Sequence, residues 1–132
     1  MLKAINWMLN IQTSEGYKIS EANKIEVDAC DAIGIILKGN AQAEDIEIQP
    51  GGSGQVKFLL IQSDCYDPKI SYSVNEDKSN DQERIKLDAL QLMMGNGAEN
   101  LLKKSPNKLF FYNGLTRDVT LHILVGRKAT TP

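Results

Sequence analysis

The sequence predicts an all-β protein, a single-domain antiparallel β-sandwich of jelly-roll-like type. Two observations lead to this prediction. Apolar residues alternate with polar ones along most of the chain, and turn-forming residues interrupt the alternation about every 8 to 14 residues, which is typical of sandwiches and barrels. A chain of 132 residues makes one domain, 1–132, the expected organisation. It is long enough to bury about two-thirds of its unfolded surface around a single core.

Four strands are predicted in the first half of the chain. The alternation in 5–11 indicates a strand with one buried face, and 25–27 indicates a second strand. The apolar run 33–37 is typical of a buried strand, and 46–48 alternates again. The segment Pro50–Gly54 then breaks the pattern as a loop. Since a strand follows this loop instead of a Gly-Lys-Ser/Thr and a helix, we do not interpret it as a phosphate-binding loop.

The second half continues in the same way. Strands are predicted at 56–62, 70–74, 85–87, 109–112 and 119–125. The first of these is apolar at nearly every position, so we expect it to be buried on both faces.

Between these strands the sequence indicates other structure. Residues 89–94 fit either a strand or a helix. The segment 98–104 favours one or two helical turns, because its two lysines lie at the end where the helix dipole favours cations, and Pro106 follows to stop the helix. The polar segment 75–83 predicts an exposed loop. Asn113-Gly114 favours a tight turn, so we expect the strands on either side of it to form a hairpin.

Composition and charge exclude several classes of function. The chain is 42% apolar and 24% charged, with a net charge of −2, as in an ordinary globular protein. A general nucleic-acid binder needs a basic face, so we expect no nucleic-acid partner. No stretch resembles a signal peptide or a membrane span, so we expect no membrane partner and a cytoplasmic or virion location.

The segment Asp64-Cys65-Tyr66-Asp67 places an acid, a thiol and a phenol side by side. A reactive thiol needs a lowered pKa, but the two nearby acids disfavour the thiolate. The alternative is a corner between two strands, in which Asp67-Pro68 sets the turn, and we favour it.

Other chemistry-bearing residues are few, so we predict no catalytic, cofactor or metal site and no cofactor. His122 is the single histidine, and its strand position points it away from the apolar face. Cys30 and Cys65 are interpreted as free, half-buried thiols.

Two binding alternatives remain. The acids of 75–83 lack the glycine and alternate spacing of an EF-hand, so a solvated loop is favoured over a calcium site. Exposed aromatics could form a sugar-stacking platform, although Trp7 and Tyr72 align with core residues; the remaining tyrosines are Tyr17, Tyr66 and Tyr112.

A resemblance rests on several strands in a fixed order. These are Ile5-Asn6-Trp7 at the start, Phe58–Asp64, Lys69–Asn75, and Asp118–Arg127 near the terminal Thr131-Pro132. This order resembles that of small β-rich proteins of unknown function encoded among the structural genes of tailed phages and prophages. The resemblance implies a virion or assembly component held together by strand pairing and self-association, and it implies no catalytic residue.

The sequence therefore predicts a non-enzymatic structural, assembly or protein-interaction protein, with phage or prophage origin suggested by the resemblance. The expected partners are further copies of the chain or other virion and assembly proteins. The alternative is a carbohydrate-binding β-sandwich module.

Overall fold

The computed structural model describes residues 3–40, 43–48, 55–95 and 106–128, and nearly all of these ranges are strand or turn. The strands are β1 Lys3–Gln12, β2 Lys18–Val27, β3 Ala29–Leu37, β4 Glu44–Glu47, β5 Gln55–Ser63, β6 Ile70–Val74, β7 Ile85–Lys86, β8 Gln91–Met94, β9 Lys108–Asn113 and β10 Val119–Lys128. Within these ranges no helix has the length and apolarity needed to cross a membrane.

Eight of the strands form two four-stranded antiparallel sheets. Sheet I has the order β3-β10-β5-β8 and sheet II the order β4-β9-β6-β7. The pairs β3/β10, β4/β9, β5/β8 and β6/β7 are those of one long antiparallel ribbon that turns back between β6 and β7 and is then rolled into two layers. This strand order is that of a jelly roll, so the predicted fold class is confirmed.

One apolar core lies between the two sheets, because alternate residues of each strand point inward. Both sheets contribute fully buried side chains to it: Leu59, Ile61, Val119, Leu121, Ile123 and Val125 from sheet I, and Ile70, Tyr72, Leu109 and Phe111 from sheet II.

Two aromatic residues of sheet II lie at the centre of this core. The rings of Tyr72 and Phe111 are tilted against each other, with centroids 5.5 Å apart. The Tyr72 hydroxyl donates to Gln91 Oε1 at 2.5 Å, which joins β6 of one sheet to β8 of the other. Burial raises the pKa of Tyr72, because the phenolate would lose its hydration there.

The predicted hairpin at Asn113-Gly114 is wrong. β9 pairs with β4 and β6, whereas β10 pairs with β3 and β5, so the chain crosses from sheet II to sheet I after Asn113. The buried Asn113 side chain holds this crossing: its amide donates to Leu37 O and Arg117 O, and its oxygen accepts from Leu115 N–H. Asparagine favours turns of several kinds, and here its side chain serves tertiary contacts.

Other predictions from the sequence had mixed outcomes. Residues 91–94 are strand β8, which resolves the strand-or-helix alternative of 89–94. In the run 33–37 only Leu37 is buried, and Ile36 is 54% exposed on the outer face of sheet I. The predicted helical turns at 98–104 and the loop at 50–54 lie outside the described residues.

Candidate functional site

The first two strands form a hairpin of their own, here called the arm, residues 3–27. β1 and β2 pair over ten residues each, from Lys3 opposite Val27 to Gln12 opposite Lys18, and belong to neither sheet of the sandwich. The turn is closed by Thr13, which accepts from Gly16 N–H and donates to Tyr17 O. Gly16 has a φ of +95°, which suits glycine and fits a three-residue hairpin loop.

The arm joins the sandwich at its base. Ile5 and Val27 are buried with Phe58 in a second, smaller apolar cluster on the outer face of sheet I. Gly126 leaves the room they need, since a Cβ there would lie 2.7 Å from Ile5 Cδ1 and 3.0 Å from Val27 Cγ1. The Asp28 N–H donates to Arg127 O directly after the arm. The packing of the arm base on Phe58 explains why β5 is apolar on both faces.

Away from the base, the apolar side of the arm becomes progressively uncovered. This side, here called the stripe, consists of Ile5, Trp7, Leu9 and Ile11 from β1 with Ile19 and Ile25 from β2. Ile5 is buried, Trp7 and Leu9 are half-buried, and Ile11 is 49% exposed. The sequence predicted a strand with one buried face, but the structure buries that face only at the base.

Trp7 occupies the middle of the stripe. Its indole Nε1 is buried, with no hydrogen-bond partner among the described residues. It is the only tryptophan of the chain, so its fluorescence reports on the stripe alone.

Beyond the arm base, sheet I presents a second uncovered apolar surface, here called the outer face. It is formed by outward-pointing residues of four strands: Ala32, Gly34 and Ile36 of β3, His122 and Leu124 of β10, Leu60 and Gln62 of β5, and Leu92 of β8. A shallow depression of about 320 Å³ lies at its centre, because Gly34 has no side chain and the His122 ring stands beside it. The prediction that His122 points away from the core is confirmed, since its side chain is exposed.

The outer side of sheet II holds a polar cleft of about 740 Å³ beside Tyr112. The Tyr112 hydroxyl donates to Asp77, accepts from Lys78 N–H at 2.8 Å, and lies 3.2 Å from Ser73 Oγ. The Arg84 guanidinium covers the ring with its carbon 3.5 Å from the centroid, while its Nε donates to Lys78 O. Tyr112 therefore fastens the loop between β6 and β7 to sheet II.

The acidic loop 75–83 is tied down by these contacts and by its own. Asn80 caps a single 3-10 turn, Asp81–Glu83, by accepting from Gln82 N–H at 3.0 Å. Lys78 Nζ lies 2.8 Å from Glu76, and this hydrogen bond raises the pKa of the lysine. The loop is exposed, as predicted, and its carboxylates engage the Tyr112 hydroxyl and the Lys78 ammonium group.

Replacing Tyr112 by phenylalanine is expected to lower the free energy of unfolding by about 1 to 2 kcal/mol, since it removes the acceptor of Lys78 N–H and the donor to Asp77. The ring and its contact with Arg84 remain. Urea denaturation measures the loss, and hydrogen exchange is expected to show faster exchange at the Lys78 amide.

Tyr66→Phe is the matched control for this substitution. The Tyr66 hydroxyl accepts only a 3.3 Å hydrogen bond from Ser63 N–H among the described residues, so we expect a loss of about 0.5 kcal/mol or less. Equal losses in the two variants would contradict the role given to Tyr112.

The segment 64–67 is the predicted corner between two strands. Ile70 N–H donates to Asp67 O at 2.9 Å and Lys69 N–H to Asp67 Oδ1 at 2.8 Å, which closes the turn around Pro68. Asp64 accepts from Thr120 N–H at 3.1 Å. The acids thus bond to backbone groups, and the corner interpretation is confirmed.

The two cysteines lie in different apolar clusters. Cys30 packs beside the arm base, and Cys65 packs against the main core. Both are free and half-buried, as predicted.

The aromatic residues considered for sugar stacking do not share one surface. Tyr72 is in the core, Tyr112 is only 9% exposed beneath Arg84, and Tyr66 lies at the corner. Trp7 and Tyr17 lie on the arm, the latter 68% exposed near the turn.

The arm as a separate unit was missed from the sequence. Only 25–27 of β2 showed the alternation of a strand, because polar residues fill most of 18–24. The available signal for a longer strand was Ile19, which lies an even number of residues before Ile25 and therefore on the same face of the strand. The contact of Arg84 with Tyr112 joins residues 28 positions apart and has no local signal.

Comparison of the chain with family models, curated proteins and solved structures gave no match in any of the three.

Proposed function

We propose that this chain is a non-enzymatic structural protein that acts by self-association within a larger assembly. The observation that carries the proposal is the arm: a ten-residue, two-stranded ladder with an apolar stripe that is covered only at its base. Isolated two-stranded hairpins are at best marginally stable in water, so a covering partner would add substantially to the stability of this one.

The edges of the arm support the same proposal. Neither β1 nor β2 has a second neighbouring strand in the described part of the chain, so each has an edge of unpaired backbone groups. Proteins generally shield such edges or use them to pair with another chain. Apolar residues at the exposed end include Ile11 and Ile19, the latter 46% exposed.

The distribution of reactive side chains favours a non-enzymatic role. His122 lies on the outer face of sheet I, whereas Cys65 packs against the core at the corner. The acids at that corner bond to backbone groups. These residues are therefore not arranged as a nucleophile and its base.

Sedimentation over about two decades of protein concentration tests the proposal. We expect the chain to form oligomers, with the emission of Trp7 shifting to shorter wavelength as they form. Ile11→Asp places a charge on the stripe and is expected to weaken association. Gln12→Asp, the neighbouring position on the opposite side of the arm, is the matched control. A chain that stays monomeric throughout would refute self-association.

For the biological setting we propose a virion or assembly component of a phage or prophage. The support is the resemblance in strand order, together with a jelly-roll fold that viral capsid proteins also use, which is an analogy at the level of fold. Mass spectrometry of purified phage particles tests whether this chain is one of their components. The identity of the neighbouring genes tests the phage or prophage origin. Capsid, portal or tail genes are expected, and sugar-utilisation genes would overturn the assignment.

A carbohydrate-binding module is the second candidate, and the polar cleft beside Tyr112 is the observation that favours it. Charged and amide groups line the cleft, among them Lys69, Asp81 and Asn40. Because Arg84 covers the Tyr112 ring, a sugar would bind there by hydrogen bonds without stacking. Glycan binding that is lost in Asp81→Ala, but kept in Ile11→Asp, would favour this candidate.

A further inference from the structure

We propose that the arm of one copy of this chain lies on the outer face of sheet I of a second copy. The exposed part of the stripe would then cover the depression at Gly34 and the side chains of Ile36 and Leu124. This inference rests on the proposed self-association and names the two surfaces that meet.

The first argument is continuity with a contact already present within the chain. The stripe begins at Ile5, which packs on Phe58 of sheet I, and Leu60 and Leu124 of the outer face pack against the same cluster. The stripe and the outer face are therefore complementary where they touch. Each surface continues beyond the contact without a partner in the described residues.

Chemical similarity is the second argument. Glu21 is the one charged residue along the stripe side of the arm between Ile5 and Ile25, and it lies opposite Leu9. Among the described residues that line the depression of the outer face, His122 is the one ionisable side chain, beside Ala32, Leu60 and other uncharged residues. No like charges would meet, and most of the side chains on both surfaces are apolar.

The areas favour this partner over a second arm. Ten residues of β1 and β2 span about 33 Å by about 10 Å, so one side of the arm offers at most roughly 330 Å², and its base is already covered by its own sandwich. Two stripes stacked on each other would bury only this area per copy, well below the roughly 800 Å² per partner of a standard interface. A copy that both donates its arm and receives another buries about twice as much, which comes nearer to that standard.

The arm of the same copy does not cover this surface. It enters at the Gly126 end of the outer face, and its exposure rises from Ile5 to Ile11 as it leaves the sandwich. Ile36, near the far end of β3, stays 54% exposed. A reciprocal exchange gives a two-fold dimer, and a one-way exchange gives a ring or filament.

Disulfide trapping between two single-cysteine variants tests the contact. Both variants are made in a chain that carries Cys30→Ala and Cys65→Ala. Sedimentation first establishes that this cysteine-free chain associates as the wild type does. One carries Ile11→Cys on the stripe, and the other carries a cysteine at Ala32, Gly34 or Ile36 in turn. Disulfides require Cβ atoms within about 4.5 Å, so oxidation of the mixture reports direct contact. Gln12→Cys, on the opposite side of the arm, replaces Ile11→Cys in the control.

We expect a mixed disulfide with at least one position of the outer face, several-fold more abundant than with Gln12→Cys. Association of the wild type with no such disulfide would overturn this inference and leave the proposed function standing. Efficient trapping of Ile11→Cys with itself would also overturn it, since two arms would then pack together.

A second measurement keeps the native cysteines. Ile36→Asp is expected to weaken self-association at least about tenfold, as expected for a charge buried in an apolar contact. Met8→Asp, at a position 75% exposed on the other side of the arm, should leave association unchanged. Ile36→Asp with wild-type association would overturn the inference, and a monomeric wild type would refute the proposed function itself.

Discussion

Replacing Phe111 by alanine is expected to lower the free energy of unfolding by about 4 kcal/mol. Phe111 is completely buried in β9, its ring packs against that of Tyr72, and both sheets surround it. Removing the ring forfeits its burial and leaves a cavity that the two sheets cannot close without shifting. Since small domains are stable by only about 5 to 15 kcal/mol, this is a large fraction of the total.

Phe110→Ala is the matched control for this variant. Phe110 is the neighbouring residue of the same strand, half-buried on the opposite side of sheet II. We expect a loss of about 1 kcal/mol, because a half-buried ring leaves no enclosed cavity. Urea denaturation measures the free energy of unfolding of both variants. We expect the slope of that free energy against urea concentration to be unchanged. Similar losses would contradict the placement of the core between the two sheets.

The second large effect is expected at Gly39, where alanine should lower the free energy of unfolding by about 3 kcal/mol. A Cβ there would lie 2.6 Å from the carbonyl carbon of Thr116 and 2.9 Å from Arg117 N. These are backbone atoms, so rotation of a side chain cannot relieve the clash. The loop after β3 would have to separate from the crossing between β9 and β10.

Such a separation also breaks the hydrogen bonds that this close approach permits. Gly39 N–H donates to Asp118 Oδ1 at 3.1 Å, and Asn40 N–H donates to Leu115 O at 2.9 Å. The hydrogen bond from Gly39, aided by Lys38, holds the pKa of Asp118 below its usual value. Both contacts fasten the end of β3 to the loop that enters β10.

Gly34→Ala is the control for Gly39→Ala. The nearest atom to a Cβ at Gly34 is His122 Nδ1 at 3.7 Å, an ordinary contact. Alanine is also better suited than glycine to a strand interior, so we expect no loss and a gain of up to about 1 kcal/mol. Thermal and urea denaturation measure both variants. A tolerated Gly39→Ala would show that the loop and the crossing do not approach as described.

These stability variants complement the tests of association. Phe111 and Gly39 report on the sandwich itself, whereas Ile11 and Ile36 report on two exposed surfaces that the sandwich does not use. If an Ile11 variant loses self-association while its free energy of unfolding is unchanged, the stripe contacts another chain.

The sequence by itself determined the fold class, most strands and the corner at Asp67-Pro68. It could do so because these depend on local causes: the two-residue period of a strand with one buried face, and the preference of aspartate and proline for turns. The alternation around Tyr72 placed it in the core for the same reason.

Only the tertiary structure decided which strands pair and which apolar faces are covered. The same alternation marks Ile11 and Tyr72, yet one is half exposed on the arm and the other is buried between two sheets. Likewise, Asn113-Gly114 suits a hairpin, but a hairpin there would join β9 to β10, and each of these strands instead has both edges occupied by others. Pairing depends on contacts between residues distant in the chain, and local periodicity shows a strand's apolar face without showing what lies against it.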